Sequence, residues 1–215
     1  MVASRKINKT IRFLVASDFF LFFAVGLLGP IFAVFVLKNI ENRIEVIGYA
    51  VSCYWITRVV TVVPLSRLMD KIKGEFDEFT FMIAGTLLIS LIPLFYIASS
   101  ASWHIYVLQC LNGLANSMAV PAWRILFTNH VDRQVIGFEW SLEDIGVGVA
   151  TAISAAVGAF IASKFGFTVL FVIISAIGLV SVAILLVLSL QEPDVVKRLR
   201  RNKINQAPLK IDTLK

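Results

Sequence analysis

Seven residues set polar chemistry into surroundings that are otherwise apolar: Asp18, Arg58, Asn112, Asn116, Arg124, Glu143 and Asp144. Asp18 sits among phenylalanines in ASDFFLFFAVGLLGPIF, residues 16–32. Carboxylates can carry protons and arginines can hold carboxylates. Amides can line a solute path or bond one helix to another. Gln109, Asn112 and Asn116, spaced three and four apart, share one helical face, with Trp123 two turns further on. At about 1.5 Å per residue, Asp18, Glu143, Asp144 and Arg124 each lie about 8–10 Å inside their segments and Arg58 about 13 Å. All five charges are therefore expected in one layer. Two arginines then face three carboxylates, so one carboxyl lacks a full partner and is the candidate for reversible protonation. A static ion-pair network is the alternative, and the amide stripe reads equally as path or as interhelical bonding.

The elements that must position these residues follow from composition. Of 215 residues 58% are hydrophobic and 16% charged, and mean hydropathy is +0.84, more apolar content than one soluble core uses. A helix crossing about 30 Å of hydrocarbon needs about 20 apolar residues. Six such runs occur, at about 11–37, 45–68, 79–101, 103–130, 138–163 and 167–190. Their length and lack of alternation predict helices rather than barrel strands. The expected fold is thus an all-α membrane protein with a six-span domain over 1–190 and a basic tail over 191–215. The first run is too long for a secretory signal and lacks a small-residue cleavage site, so it is expected to be retained.

Charge is partitioned among the spans. The first, second, fourth and fifth carry it, whereas the third and sixth carry none, so the former are expected to face protein or water and the latter lipid. In the fifth span Gly146, Ala150, Ser154, Gly158 and Ala162 recur every four residues, a small-residue ridge for close helix packing. Gly29-Pro30, Pro64, Pro93 and Pro121 are expected kinks. Trp103, Tyr106 and Trp140 suit the membrane interfaces. Cys53 and Cys110 fall within spans as packing residues, which leaves no disulfide framework, metal site or cofactor signature.

Basic residues fix the expected orientation. Arg5, Lys6, Lys9 and Arg12 precede the first span, Arg67, Lys71 and Lys73 follow the second, Arg133 the fourth, and KRLRRNK (197–203) the sixth. The opposite side offers Lys38, Arg43 and Lys164. Both termini are expected in the cytoplasm, with the protein in the plasma (inner) membrane. The net charge of +6 is this topological bias and not nucleic-acid binding, although the tail run can also touch anionic lipid.

The loop SRLMDKIKGE, residues 66–75, resembles the loop 2–3 signature of the major facilitator superfamily, with Asp70 and Lys71 matching, Ser66 in place of the first glycine and Gly74 one position late. LQCLNGLANSMAVPA (108–122), DRQVIG (132–137), GAFI (158–161), FGFTVLF (165–171) and the Glu192-Pro193 exit are similar to its fourth to sixth spans. The arginine common at the outer start of the fourth span is missing. The resemblance implies a rocker-switch transporter whose six-span half contains two inverted three-span repeats. It also implies that Ser66, Asp70, Lys71 and Gly74 form a cytoplasmic gate element, and that the small-molecule site is completed by a second six-span half, in a homodimer, in a separate chain, or in a twelve-span protein of which this chain is a fragment. The alternatives are a non-transporting scaffold and the permease subunit of an ATP-driven system, for which no phosphate-binding loop is present. An intramembrane serine protease would need Gly-x-Ser and a histidine within the spans. Here Ser117 follows Asn116, and His104 and His130 sit at the ends of one span, so an enzyme is not expected.

Overall fold

The first helix, α1 (Lys9–Leu28), starts where the Asn8 side chain accepts the Thr10 N–H at 3.1 Å, filling one of the donors a helix start leaves open. It stops at Gly29-Pro30, because proline has no N–H with which to continue the ladder. A turn then leads into the short α2 (Phe32–Phe35) and a π-helical turn, Val36–Ile40. The continuous first span expected over 11–37 is thus interrupted. By contrast α3 (Ile44–Lys71), α4 (Phe76–Ile97) and α5 (Ser102–His130) each run on through an internal proline. The last element, α6 (Ile136–Gln191), is broken at Gly166, whose φ of +83° is one that side-chain-bearing residues avoid. These elements belong to a computed structural model that describes residues 8–71 and 76–191. Gly74 and the tail beyond Gln191 lie outside them.

Every element among the described residues is helical, and α1, α3, α4 and α6 are long and apolar enough to cross a membrane. At 56 residues, about 84 Å, α6 far exceeds one crossing. Its first arm (136–165) and second arm (167–191) run in opposite directions about Gly166. With 29 residues α5 has the length, but Gln109, Asn112, Asn116 and Arg124 make it more polar than the others.

Small residues set which helices touch. A Cβ at Gly158 would meet the Leu27 carbonyl oxygen at 2.2 Å, and one at Gly26 would meet Ser154, so α1 and the first arm approach backbone to backbone. Likewise Gly113 of α5 has room only for hydrogen against the Tyr54 carbonyl of α3. Along that contact α3 and α5 run parallel and in register: the Tyr49 and Tyr106 rings meet at 6.4 Å, Cys110 Sγ approaches the Cys53 carbonyl at 3.9 Å, and Thr61 Oγ1 bonds Ser117 Oγ at 2.8 Å. Gly85 brings α4 against Ala115 and Ala119 of α5, and Gly178 brings the second arm against Ser90 of α4.

Two large apolar cores result, with a small cluster of Ile89, Ala115 and Ala119 besides. The one at the base, where α1 begins, joins Ile11, Leu14, Met82, Phe127 and Leu185; the one at the top joins Leu27, Phe35, Tyr96, Ile105 and Phe171. At the base Glu139 is buried in the first turn of α6 and accepts the Asp132 N–H at 2.9 Å, a carboxylate placed where the helix dipole favours it. The expected split into charged inner and uncharged outer helices is not what this chain shows alone. Beyond Asp77 and Glu78 in its first turn α4 carries no charge, yet it is among the most covered helices, with Phe79, Met82, Thr86, Ile92 and Tyr96 buried. The charged α3 leaves Tyr49, Ile56, Val59, Val60 and Val63 uncovered. Burial follows the number of neighbouring helices, and α3 has its main neighbour on one side.

At the top, the Ser102 hydroxyl and the Arg43 guanidinium (3.2 Å) bind the Glu41 carboxylate and tie the start of α5 to the segment before α3. The Ser102 hydrogen bond, against some opposing desolvation and with help from Arg43, holds Glu41 below its ordinary value. A folded value below the unfolded one, near 4.3, adds stability above that pH, which is lost as pH falls through the folded value. Ser102→Ala is therefore expected to lower the thermal midpoint at pH 7, and the gap to wild type should close on acidification below about pH 4. A gap that stays constant over that range would refute the latch.

Candidate functional site

A cavity of about 520 Å³ lies among α1, α3, α4, α5 and both arms of α6, within the size range of small-molecule sites. Most of its wall is apolar or aromatic, including Phe22, Tyr54, Trp55, Trp123 and Trp140. Its polar side chains come from few places: Ser17 and Asp18 of α1, Thr86 and Ser90 of α4, Gln109, Asn112, Asn116 and Arg124 of α5, and Glu143 and Ser181 of α6.

Asp18 is 9% exposed, and its carboxyl faces that of Glu143 at hydrogen-bonding range. The tight contact of α1 with the first arm brings them together, since Ala150 and Ser154 of the small-residue ridge are fully buried and Gly146 packs on Val15. Glu143 is in turn within electrostatic reach of Arg124 and Asp144. Both of these are exposed in the single chain.

Arg58 is placed elsewhere. Its Nη1 donates to Tyr54 Oη at 2.8 Å, and its guanidinium lies 5.8 Å from the Tyr54 ring centre and 5.2 Å from that of Trp55. Neither Arg58 nor Arg124 makes an ion pair within 4 Å among the described residues, whereas Arg43 pairs with Glu41 and Glu45. The expected ion pairing of two arginines with three carboxylates is not formed among the described residues. Residue counting gives depth but not azimuth: α3 packs on α5 while the first arm packs on α1, so the two acids meet each other and Arg58 stays with its own helix.

The amide stripe bonds along α5 itself, with Asn116 Nδ2 donating to the Asn112 carbonyl at 2.9 Å and to its side-chain oxygen at 3.1 Å. Bonds that cross between α3 and α5 come instead from Thr61, which donates to Ser117 Oγ, and from Ser117, which donates to the Arg58 carbonyl, hydroxyls that sequence spacing does not mark. The aromatic cluster is also a finding of the fold: Trp123 stacks on Phe127 at 4.8 Å, and Trp140 meets Phe127 at 4.5 Å. In the cavity wall Trp123 Nε1 and Ser181 Oγ are buried with no hydrogen-bond partner among the described residues. Ser66, Asp70 and Lys71 belong to the last turns of α3, helical and not in a loop, with Asp70 and Lys71 exposed and Met69 just before them fully buried.

The sequence model of the Major Facilitator Superfamily matches residues 14–213, nearly the whole chain. No curated protein matches it.

Proposed function

The chain belongs to the Major Facilitator Superfamily and is a multi-pass integral membrane transporter, and from that premise we propose that it moves a small solute by alternating access as one half of a secondary transporter. The observation that carries the reading is an open cavity whose rim holds charge. Arg124 and Asp144 are uncovered beside the facing pair Asp18 and Glu143. Charge facing lipid costs several kcal/mol, so a protein surface is the fitting cover. A second six-helix unit, a copy of this chain or another, closes the cavity and also covers the apolar face of α3.

Six crossings account for α1, α3, α4, α5 and the two arms of α6. Their contacts support two inverted three-helix repeats: exchanging the first crossing with the fourth, the second with the fifth and the third with the sixth turns the α1–first arm contact into the α5–α3 contact. In both contacts the helices run parallel and a glycine meets a backbone carbonyl. The excess of basic residues at the base, Lys9, Arg12, Arg67, Lys71 and Arg133, supports a cytoplasmic base and both termini inside the plasma membrane. There Asp70 and Lys71 are placed to latch one half against the other.

The facing carboxyls support proton coupling. An ionised carboxylate only accepts hydrogen bonds, so a bond between two carboxyls needs a proton on one of them. A proton shared there can be given up when solute or a conformational change separates the pair.

The test is proteoliposome uptake together with native mass measurement from a lipid nanodisc. Expected are a two-unit assembly and solute accumulation driven by a proton gradient. A monomer that accumulates solute alone would refute the paired half, and a two-unit assembly that moves none of a broad solute panel would favour a scaffold.

A further inference from the structure

Resting on the transporter reading above, we propose that Arg58 anchors a binding site for a small organic oxyanion, a carboxylate or a phosphate ester, in the cavity wall formed by α3 and α5. Arg58 lies in the middle of α3, about 20 Å from either end, where an uncompensated charge is most costly. No carboxylate of the described residues lies within 4 Å of it, and the acids that could have served it face each other across α1 and α6.

The guanidinium is nevertheless held in place. Trp55 and Tyr54 lie against it, and Tyr54 Oη takes one of its five N–H donors. Among the described residues the other four have no partner. Aromatic contact uses the flat face of a guanidinium and leaves its edge free, and that edge is the fork that matches two oxygens of a carboxylate or phosphate.

The surroundings suit such a guest. Val51, Tyr54 and Trp55 line the cavity, and Arg58, the next position along that face of α3 and bonded to Tyr54 Oη, lies at the edge of this wall. The α3–α5 register, in which the Arg58 carbonyl accepts from Ser117 Oγ at 3.2 Å and Gly113 packs on Tyr54, sets Asn112 and Asn116 at the same level. Both amides line the cavity and can donate to an anion that Arg58 has engaged. The aromatic wall favours an anion that carries an apolar body.

Binding to the assembled protein in nanodiscs tests this with four probes of one shape: benzoate, phenyl phosphate, benzamide and benzylammonium, titrated calorimetrically. Expected is binding of benzoate, phenyl phosphate or both at least tenfold tighter than of the neutral and cationic probes. Whichever anion binds tighter tells carboxylate from phosphate. Arg58→Gln should erase the preference and Arg58→Lys should keep part of it, as a point charge without the fork. Should Arg58→Gln fail to fold, Tyr54→Phe, which frees the guanidinium while keeping the ring, is expected to weaken anion binding several-fold. Equal binding of all four probes, anion preference that survives Arg58→Gln, or dissociation of the assembly by Arg58→Gln without any anion binding would overturn the proposal; the last would assign Arg58 to a carboxylate of the second unit. Anion binding without uptake would leave this site standing and remove the transport reading, whereas uptake of neutral or cationic solutes alone would do the reverse.

Discussion

Proteoliposomes carrying Asp18→Asn or Glu143→Gln are expected to bring solute only to equal concentrations on the two sides, while wild type accumulates it. One pH unit across the membrane is worth about 1.36 kcal/mol per proton and supports about tenfold accumulation for each proton coupled. An amide at either position keeps the shape of the side chain and its hydrogen-bonding reach but cannot release a proton, so solute still moves down its own gradient and the tenfold factor disappears. Asp144, adjacent in sequence to Glu143 but exposed and not facing Asp18, is the control. Asp144→Asn should keep accumulation within about twofold of wild type. If both Asp18→Asn and Glu143→Gln still accumulate solute against its gradient, the pair is not the coupling device.

The second large effect concerns assembly of the bundle. A Cβ added at Gly158 would lie 2.2 Å from the Leu27 carbonyl oxygen and 2.9 Å from the Leu27 Cα, where backbone and not a flexible side chain stands in the way. Gly158→Ala must part α1 from the first arm of α6, a strain of about 1–3 kcal/mol, and Gly158→Leu more. Since that contact also brings Asp18 to Glu143, the alanine variant should lose coupling as well as stability. Gly148, on the same helix with nothing within 4 Å, gives the opposite expectation. Gly148→Ala should be neutral or gain up to about 1 kcal/mol from better helix propensity. Unfolding of the three variants in detergent checks this, and a Gly158→Ala protein as stable as Gly148→Ala would show that the close approach is not maintained.

These two cases mark what a linear reading could reach. The small residues from Gly146 to Gly158 announce a tight helix contact because their period puts them on one face, and the fold places them against α1. Which helix they would meet is not written in that period. Asp18 and Glu143 were recognisable as costly groups needing company, yet their company is decided by helix azimuth, which depends on all the neighbours at once. Arg58 shows the same limit from the other side: its depth suggested membership of the acid layer, and its partners turned out to be Tyr54 and Trp55, four and three residues away on its own helix. Helix existence was readable because 20-residue apolar runs have few other fates. The break at Gly29-Pro30 and the reversal at Gly166 were less so, since a glycine or proline in a membrane helix is tolerated as often as it interrupts.

The reversal at Gly166 has a practical side. Two long arms are joined at the top by a single residue of unusual backbone and not by a loop, so that corner, although Phe165 is exposed, has no slack chain. A tag, protease site or glycan acceptor inserted between Phe165 and Phe167 would force the arms apart instead of hanging free. Labels intended to report on the top face belong instead on the segments near Glu41 and Ser99, where turns already leave backbone exposed.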